Sequence, residues 1–202
     1  MPTARARLAP LLLVLATGSL AACGSSGSSA PQTPSYPTST VDLNGPAAGS
    51  STSAYAGSTV SKDKSFSTVL PVGWKAVKSS VSGVVIFVQA PTATHGVRTN
   101  FSVLRQAAPG VALADMVGQS QASLQQSGYA VTAASPTTVG GIKGEGLTAT
   151  KTVQGKPVSE RQYFVQHGSA VYITTMTSSA ADAAGAAAAQ TAIFGSWAWS
   201  RS

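Results

Sequence analysis

The sequence predicts an α+β domain, an antiparallel β-sheet with helices packed on its faces, preceded by a disordered tether. Three observations carry this prediction. After Val60 several stretches alternate apolar and polar residues, the period of a strand with one wetter face. Two later stretches carry helical signals: Leu113, Val117, Ser120 and Leu124 recur at helical spacing, and residues 180–194 are rich in alanine. Between the extended runs of the second half stand short turns, Gln154-Gly155 and His167-Gly168. They are too short for a crossover, so the strands they join must be antiparallel.

Residues 1–22 have the three parts of a secretory signal peptide. Arg5 and Arg7 are the positive start, Leu11-Leu12-Leu13-Val14-Leu15 the apolar centre, and small residues lead to the cut. The apolar run is too short for a permanent membrane span. It ends in Leu20-Ala21-Ala22-Cys23, a lipobox. Leu20, Ala21 and Ala22 form the recognition site of the signal peptidase. The Cys23 thiol is the nucleophile that accepts a diacylglycerol group as a thioether. Further acylation, by palmitate for example, strengthens anchoring by about 0.8 kcal/mol for each buried CH₂. Residues 23–60 read as the lipidated cysteine and its tether. Gly24-Ser25-Ser26-Gly27-Ser28-Ser29 and the prolines at 31, 34 and 37 offer no core-forming surface. As a flexible coil this stretch reaches roughly 30–35 Å.

The folded domain is expected over residues 61–202. Residues 66–70 read as a strand, Pro71-Val72-Gly73 as a turn, and residues 74–77 as a return strand. Residues 84–88, Val-Val-Ile-Phe-Val, are apolar on both faces and predict a central, doubly covered strand. Residues 97–104 give a further strand. A helix follows Pro109-Gly110, with Asp115 suited to its positive end and Gly128 to its stop. After Tyr129 another strand opens, and a three-stranded meander runs from Ile142 to Thr177. Ser179 is the expected N-cap of the last helix, with Asp182 three residues on. Trp197 and Trp199 follow on one face of an extended tail.

The chain has 202 residues, enough for one domain of ordinary size behind the leader and tether. Charged residues are 9%, against about 25% in an average soluble domain. Net charge is +7, and loss of Arg5 and Arg7 leaves +5. The basic residues are scattered and not interleaved with aromatics, which excludes a nucleic-acid footprint. Cys23 is the single cysteine, so no intrachain disulfide can form.

Chemistry-bearing constellations are sparse. The two histidines, His95 and His167, each precede a glycine, as turn residues do. The six acidic residues are dispersed and give neither metal-ligand spacing nor an acid/base pair. Gly140-Gly141-Ile142-Lys143-Gly144-Glu145-Gly146 lacks the order of a phosphate loop and leads into a strand. No catalytic residue, metal or cofactor is expected. Five residues are candidates for ligand or partner contact: Trp74, Trp197 and Trp199 for an apolar groove, Arg98 and Arg161 for an anionic head group.

The strand running into Leu70-Pro71-Val72-Gly73-Trp74, the lipobox, the Ser/Pro tether, the Gln166-His167-Gly168 hairpin and the alanine-rich last helix together resemble the actinobacterial Lpq-type lipoproteins of the LpqN/LpqT group. Their domain is similar to the PsbP-like α/β sandwich. The resemblance spans residues ~60–200. It implies an antiparallel sheet with helices on its faces, no catalytic residues, and an accessory or binding role in the cell envelope.

The expected protein is therefore a non-catalytic module on the extracytoplasmic face of the cell membrane, anchored in membrane lipid through acylated Cys23. Its partner would be an envelope protein or a wall lipid, and not a nucleic acid. The alternative is a carrier of a hydrophobic ligand, with a cavity lined by residues such as Phe87, Phe101 and Leu124. A hydrolase ranks third; it would need His95 or His167 beside a hydroxyl and a carboxylate.

Overall fold

The computed structural model describes residues 55–200. The stretches read as leader and lipobox, Cys23, and most of the stretch read as tether lie outside the described residues. In chain order the elements are β1 (Tyr55–Val60), β2 (Phe66–Pro71), β3 (Lys75–Ala76), β4 (Val84–Thr94), β5 (Val97–Ala107), α1 (Leu113–Gln126), β6 (Ala130–Val139), β7 (Ile142–Val153), β8 (Lys156–His167) and β9 (Ala170–Ser179). A 3-10 turn (Ala180–Asp182), α2 (Ala183–Gly195) and β10 (Ala198–Trp199) complete them.

The protein is α+β, as predicted, with helices on both faces of an antiparallel sheet. That sheet has seven strands in the order β3-β4-β5-β9-β8-β7-β6. A second, three-stranded sheet, β1-β2-β10, was not foreseen as a separate layer. β1 lies within the stretch read as tether, yet it pairs antiparallel with β2 from Ser58↔Val69 to Val60↔Ser67.

Alternation along the central strands sorts the core into two halves. In β8, Tyr163 and Val165 point to one side and Phe164 to the other; in β9, Tyr172 and Met176 oppose Val171 and Ile173. On one side these residues meet Met116 and Leu124 of α1. On the other they meet Phe66 of β2, Ile193 and Phe194 of α2, and Trp197.

The doubly covered strand is β9, in which all ten residues are buried. It is not residues 84–88: Val84 and Phe87 are half-buried, and β4's outer neighbour β3 is two residues long and exposed. Threonine is the reason that the pattern misleads. Thr174, Thr175 and Thr177 fill β9 as β-branched residues suited to a pleated surface. Thr174 disposes of its hydroxyl by donating to the Tyr163 carbonyl at 3.4 Å.

Local signals act as read. The Ser179 hydroxyl accepts from the Asp182 amide at 3.1 Å, and the α-helix follows one 3-10 turn later. The glycine-rich stretch opens on the β6–β7 hairpin. Val139 pairs with Ile142, and Gly140 and Gly141 between them have φ of +55° and +84°, the two left-handed residues of a type I′ turn. A Cβ on Gly140 would sit 2.5 Å from Trp199 Nε1 and 2.8 Å from Trp197 Cδ1, whereas one on Gly141 would meet nothing within 4 Å. Gly140→Val is therefore expected to cost about 3 kcal/mol, from left-handed strain plus displacement of two indoles. Gly141→Ala should cost about 1 kcal/mol, from strain alone. Urea unfolding of both variants checks this, and equal costs would remove the indole contacts from the explanation.

Candidate functional site

The side of the large sheet that carries α2 also carries a groove. The first half of α2 is Ala183-Ala184-Gly185-Ala186-Ala187, too thin to fill the space above β6, β7 and β8. What remains is a cavity of about 340 Å³. Alanines of α2 and β6 and Met176 of β9 line it on the apolar side, with Thr148, Ser159 and Ser178 among its hydroxyls. Arg161 is its one charged lining residue.

Register explains why Arg161 lies there. It pairs with Thr148 of β7 and Met176 of β9, and strand alternation gives it the same face as Ser159 and Tyr163. Its guanidinium donates through Nη2 to the Tyr163 hydroxyl and lies 5.0 Å from that ring's centre. The Tyr163 hydroxyl in turn donates to the Ser135 carbonyl at 3.1 Å. The ring needs Gly146 across the strand pair, since a Cβ there would meet it at 2.5 Å. Behind Arg161, its own carbonyl accepts from Gln190 Nε2 of α2 at 3.2 Å.

The other candidate contact residues lie elsewhere. Trp197 is 5% exposed and stacks on Phe66 at 3.7 Å between centroids. Trp199 stacks on His167 at 4.3 Å and donates through Nε1 to the Val139 carbonyl at 3.3 Å. That histidine lies six residues beyond Arg161 on β8, about 20 Å at strand rise. Trp74 is half-buried against the same core. Arg98 donates through Nη1 to the carbonyls of Ala90 and Pro91, closing the bend in β4. Phe101 and Leu124 belong to core halves on opposite faces of the sheet, so they share no cavity.

The histidines occupy opposite ends of the sheet. His95 stands in the β4–β5 turn at φ +51°, and His167 at the β8–β9 turn. Among the described residues no three of His, Cys, Asp and Glu gather as a metal site. No described helix is long and apolar enough to cross a membrane.

Sequence reading missed Glu160, which is 1% exposed. It faces α1, opposite in phase to Arg161. Tyr129 donates its hydroxyl to Glu160 Oε1 at 3.0 Å, while Glu160 Oε2 and the hydroxyl of its cross-strand neighbour Thr177 have no hydrogen-bond partner among the described residues. Burial pushes the carboxyl up to about 7 against the opposing pull of the Tyr129 hydrogen bond and the Lys151 charge. Burial and that same carboxylate raise Tyr129 above its ordinary range. The alternation of β8 was the available signal, since Glu160 shares a phase with Gln162 and Phe164. Nothing in the sequence shows that α1 covers that phase.

No protein-family model and no curated protein matches the sequence. Solved structures do match in fold. LpqN of Mycobacterium tuberculosis, described as involved in cell envelope biogenesis, superposes with a TM-score of 0.54 at 13% identity, over 72% of this chain and 90% of its own. The cyanobacterial PsbP protein of Synechocystis sp. PCC 6803 gives 0.54 at 10% identity, over 77% of this chain and 98% of its own.

Proposed function

We propose that this chain is a lipid-anchored, non-catalytic module of the cell envelope, held on the extracytoplasmic face of the membrane through acylated Cys23. The observation that carries the reading is Leu20-Ala21-Ala22-Cys23 at the end of a short apolar run with two arginines before it. The fold shared with LpqN, itself described as involved in cell envelope biogenesis, supports it. The mechanism is confinement: anchoring in two dimensions raises effective concentration toward an envelope protein or wall lipid, within the reach set by residues 24–54. A second reading, carriage of a small hydrophobic ligand, is favoured by the groove under α2. Hydrolysis is not favoured: a triad needs one histidine bonded to a hydroxyl and a carboxylate, whereas His167 stacks on Trp199, His95 stands in the β4–β5 turn, and among the described residues neither imidazole makes such a bond.

Cys23→Ala tests the anchor. The variant is expected to leave the membrane fraction for the aqueous phase, or to persist as an uncleaved precursor. Intact-mass measurement of the wild type should show the added acyl groups. A variant that still enters detergent and carries acyl mass would overturn the reading.

A further inference from the structure

We infer that the groove beneath α2 is a binding site for a small amphiphilic anion, whose head takes the free side of the Arg161 guanidinium and whose short apolar body lies along the alanines of α2. The inference deepens the second reading above and rests on it.

Charge supplies the first argument. A guanidinium has five N–H donors. The hydrogen bond that Arg161 makes within the described chain goes to the neutral Tyr163 hydroxyl, and no carboxylate lines the groove. Donors remain for a planar acceptor pair such as a carboxylate or phosphate, which an arginine fork matches in geometry.

Preorganisation supplies the second. The Tyr163 ring and hydroxyl hold the guanidinium, and Ser135 holds the Tyr163 hydroxyl. An arginine fixed before binding loses less side-chain freedom on meeting its ligand. Thr148 lies directly across the strand pair from Arg161, and Ser159 lies two residues along on the same face; both line the groove. Their hydroxyls suit oxygen atoms of the head.

Size and lining supply the third. About 340 Å³ stands at the small end of ligand clefts. At about 30 Å³ per water-sized group it accepts about ten non-hydrogen atoms, a short chain and not a diacyl lipid. Ala183, Ala186 and Ala187 present methyl groups on one wall, and Met176 adds an adaptable thioether.

The test is calorimetric titration of the mature chain from residue 23, made in the cytoplasm so that Cys23 stays unacylated, and kept free of detergent. The probes are octanoate, octyl phosphate, octanol and inorganic phosphate. Octanoate or octyl phosphate should bind one to one, at least tenfold tighter than octanol, and the tighter of the two identifies the head. Arg161→Met should lower that affinity at least tenfold and leave octanol unchanged. Ala187→Phe, which fills the groove from a half-buried helix position, should abolish binding of both amphiphiles with the near-ultraviolet circular dichroism of the fold intact. Equal binding of octanoate and octanol would overturn the anion. Inorganic phosphate binding as tightly as octyl phosphate would overturn the apolar body. No binding by any probe, or affinity unmoved by Ala187→Phe, would overturn the site. None of these results bears on membrane partition of Cys23→Ala, so the anchor and the groove fail separately.

Discussion

Phe66→Ala is expected to lower the unfolding free energy by about 4 kcal/mol, the usual cost of emptying a buried phenylalanine site. Phe66 is fully buried on β2. Its ring stacks on Trp197 at 3.7 Å and meets Tyr172 and Trp199 edge-on at 5.9 and 5.8 Å. It thus joins the three-stranded sheet, the C-terminal tail and β9 of the large sheet in one aromatic cluster. Aromatic pairs add about 0.5–1.5 kcal/mol beyond area burial, so the loss should exceed that of an isolated phenylalanine. Urea unfolding followed by tryptophan fluorescence measures it. A loss below about 1.5 kcal/mol would mean that the cluster contributes little to holding the layers together.

The second large effect is a pH dependence carried by Glu160. Its folded value of about 7 stands above the ordinary 4.5, so the folded state holds the proton more tightly than the unfolded state does. Stability is therefore favoured at acid pH, falls as pH climbs from about 4.5, and reaches its lower plateau above about 7. A gap of that size corresponds to about 3 kcal/mol across the window. Glu160→Gln keeps an oxygen for the Tyr129 hydroxyl and cannot ionise. It should match the wild type near pH 4 and exceed it by about 2–3 kcal/mol at pH 8. Comparing the two proteins isolates this group from Asp63, whose carboxyl shifts the other way. Burial raises Asp63, and the hydrogen bonds from Ser61 and Ser65 with the Arg105 charge outweigh it. Parallel stability profiles for the two proteins between pH 4 and 8 would show that Glu160 is not the titrating group.

What the sequence discloses here depends on how local each signal is. The hairpin turns, the helix stripe of α1 and the Ser179 cap are short-range features, and each lies where the residues put it. β9 was underrated because its threonines look polar in a linear reading while behaving as β-branched filler between two cores. β1 and β10 were missed as a sheet because their pairing is with β2, and for β10 the partner is more than a hundred residues away. Arg161 was legible as a candidate, but the groove beside it comes from the absence of side-chain bulk in α2. Alanine-rich composition reads first as helix propensity and only in three dimensions as space. Glu160 was invisible for the converse reason: a charged residue in a strand reads as solvent-facing until a helix is seen to cover it.

The stitching of β2 to the end of α2 also sets an order in time. The Thr68 hydroxyl donates to the Ile193 carbonyl at 2.8 Å, the Val69 amide donates to the Ser196 hydroxyl at 2.9 Å, and Ser67 pairs with Ala198. These contacts close loops of about 125 residues, the kind whose entropy must be met before they return any stabilisation. The meander β7-β8-β9 can assemble as soon as it emerges during synthesis. Phe66, made early, has to wait for Trp197, made after every strand of the large sheet. A chain without residues 196–199 therefore lacks the partners of β2, which makes loss of those few residues far more damaging than their number suggests.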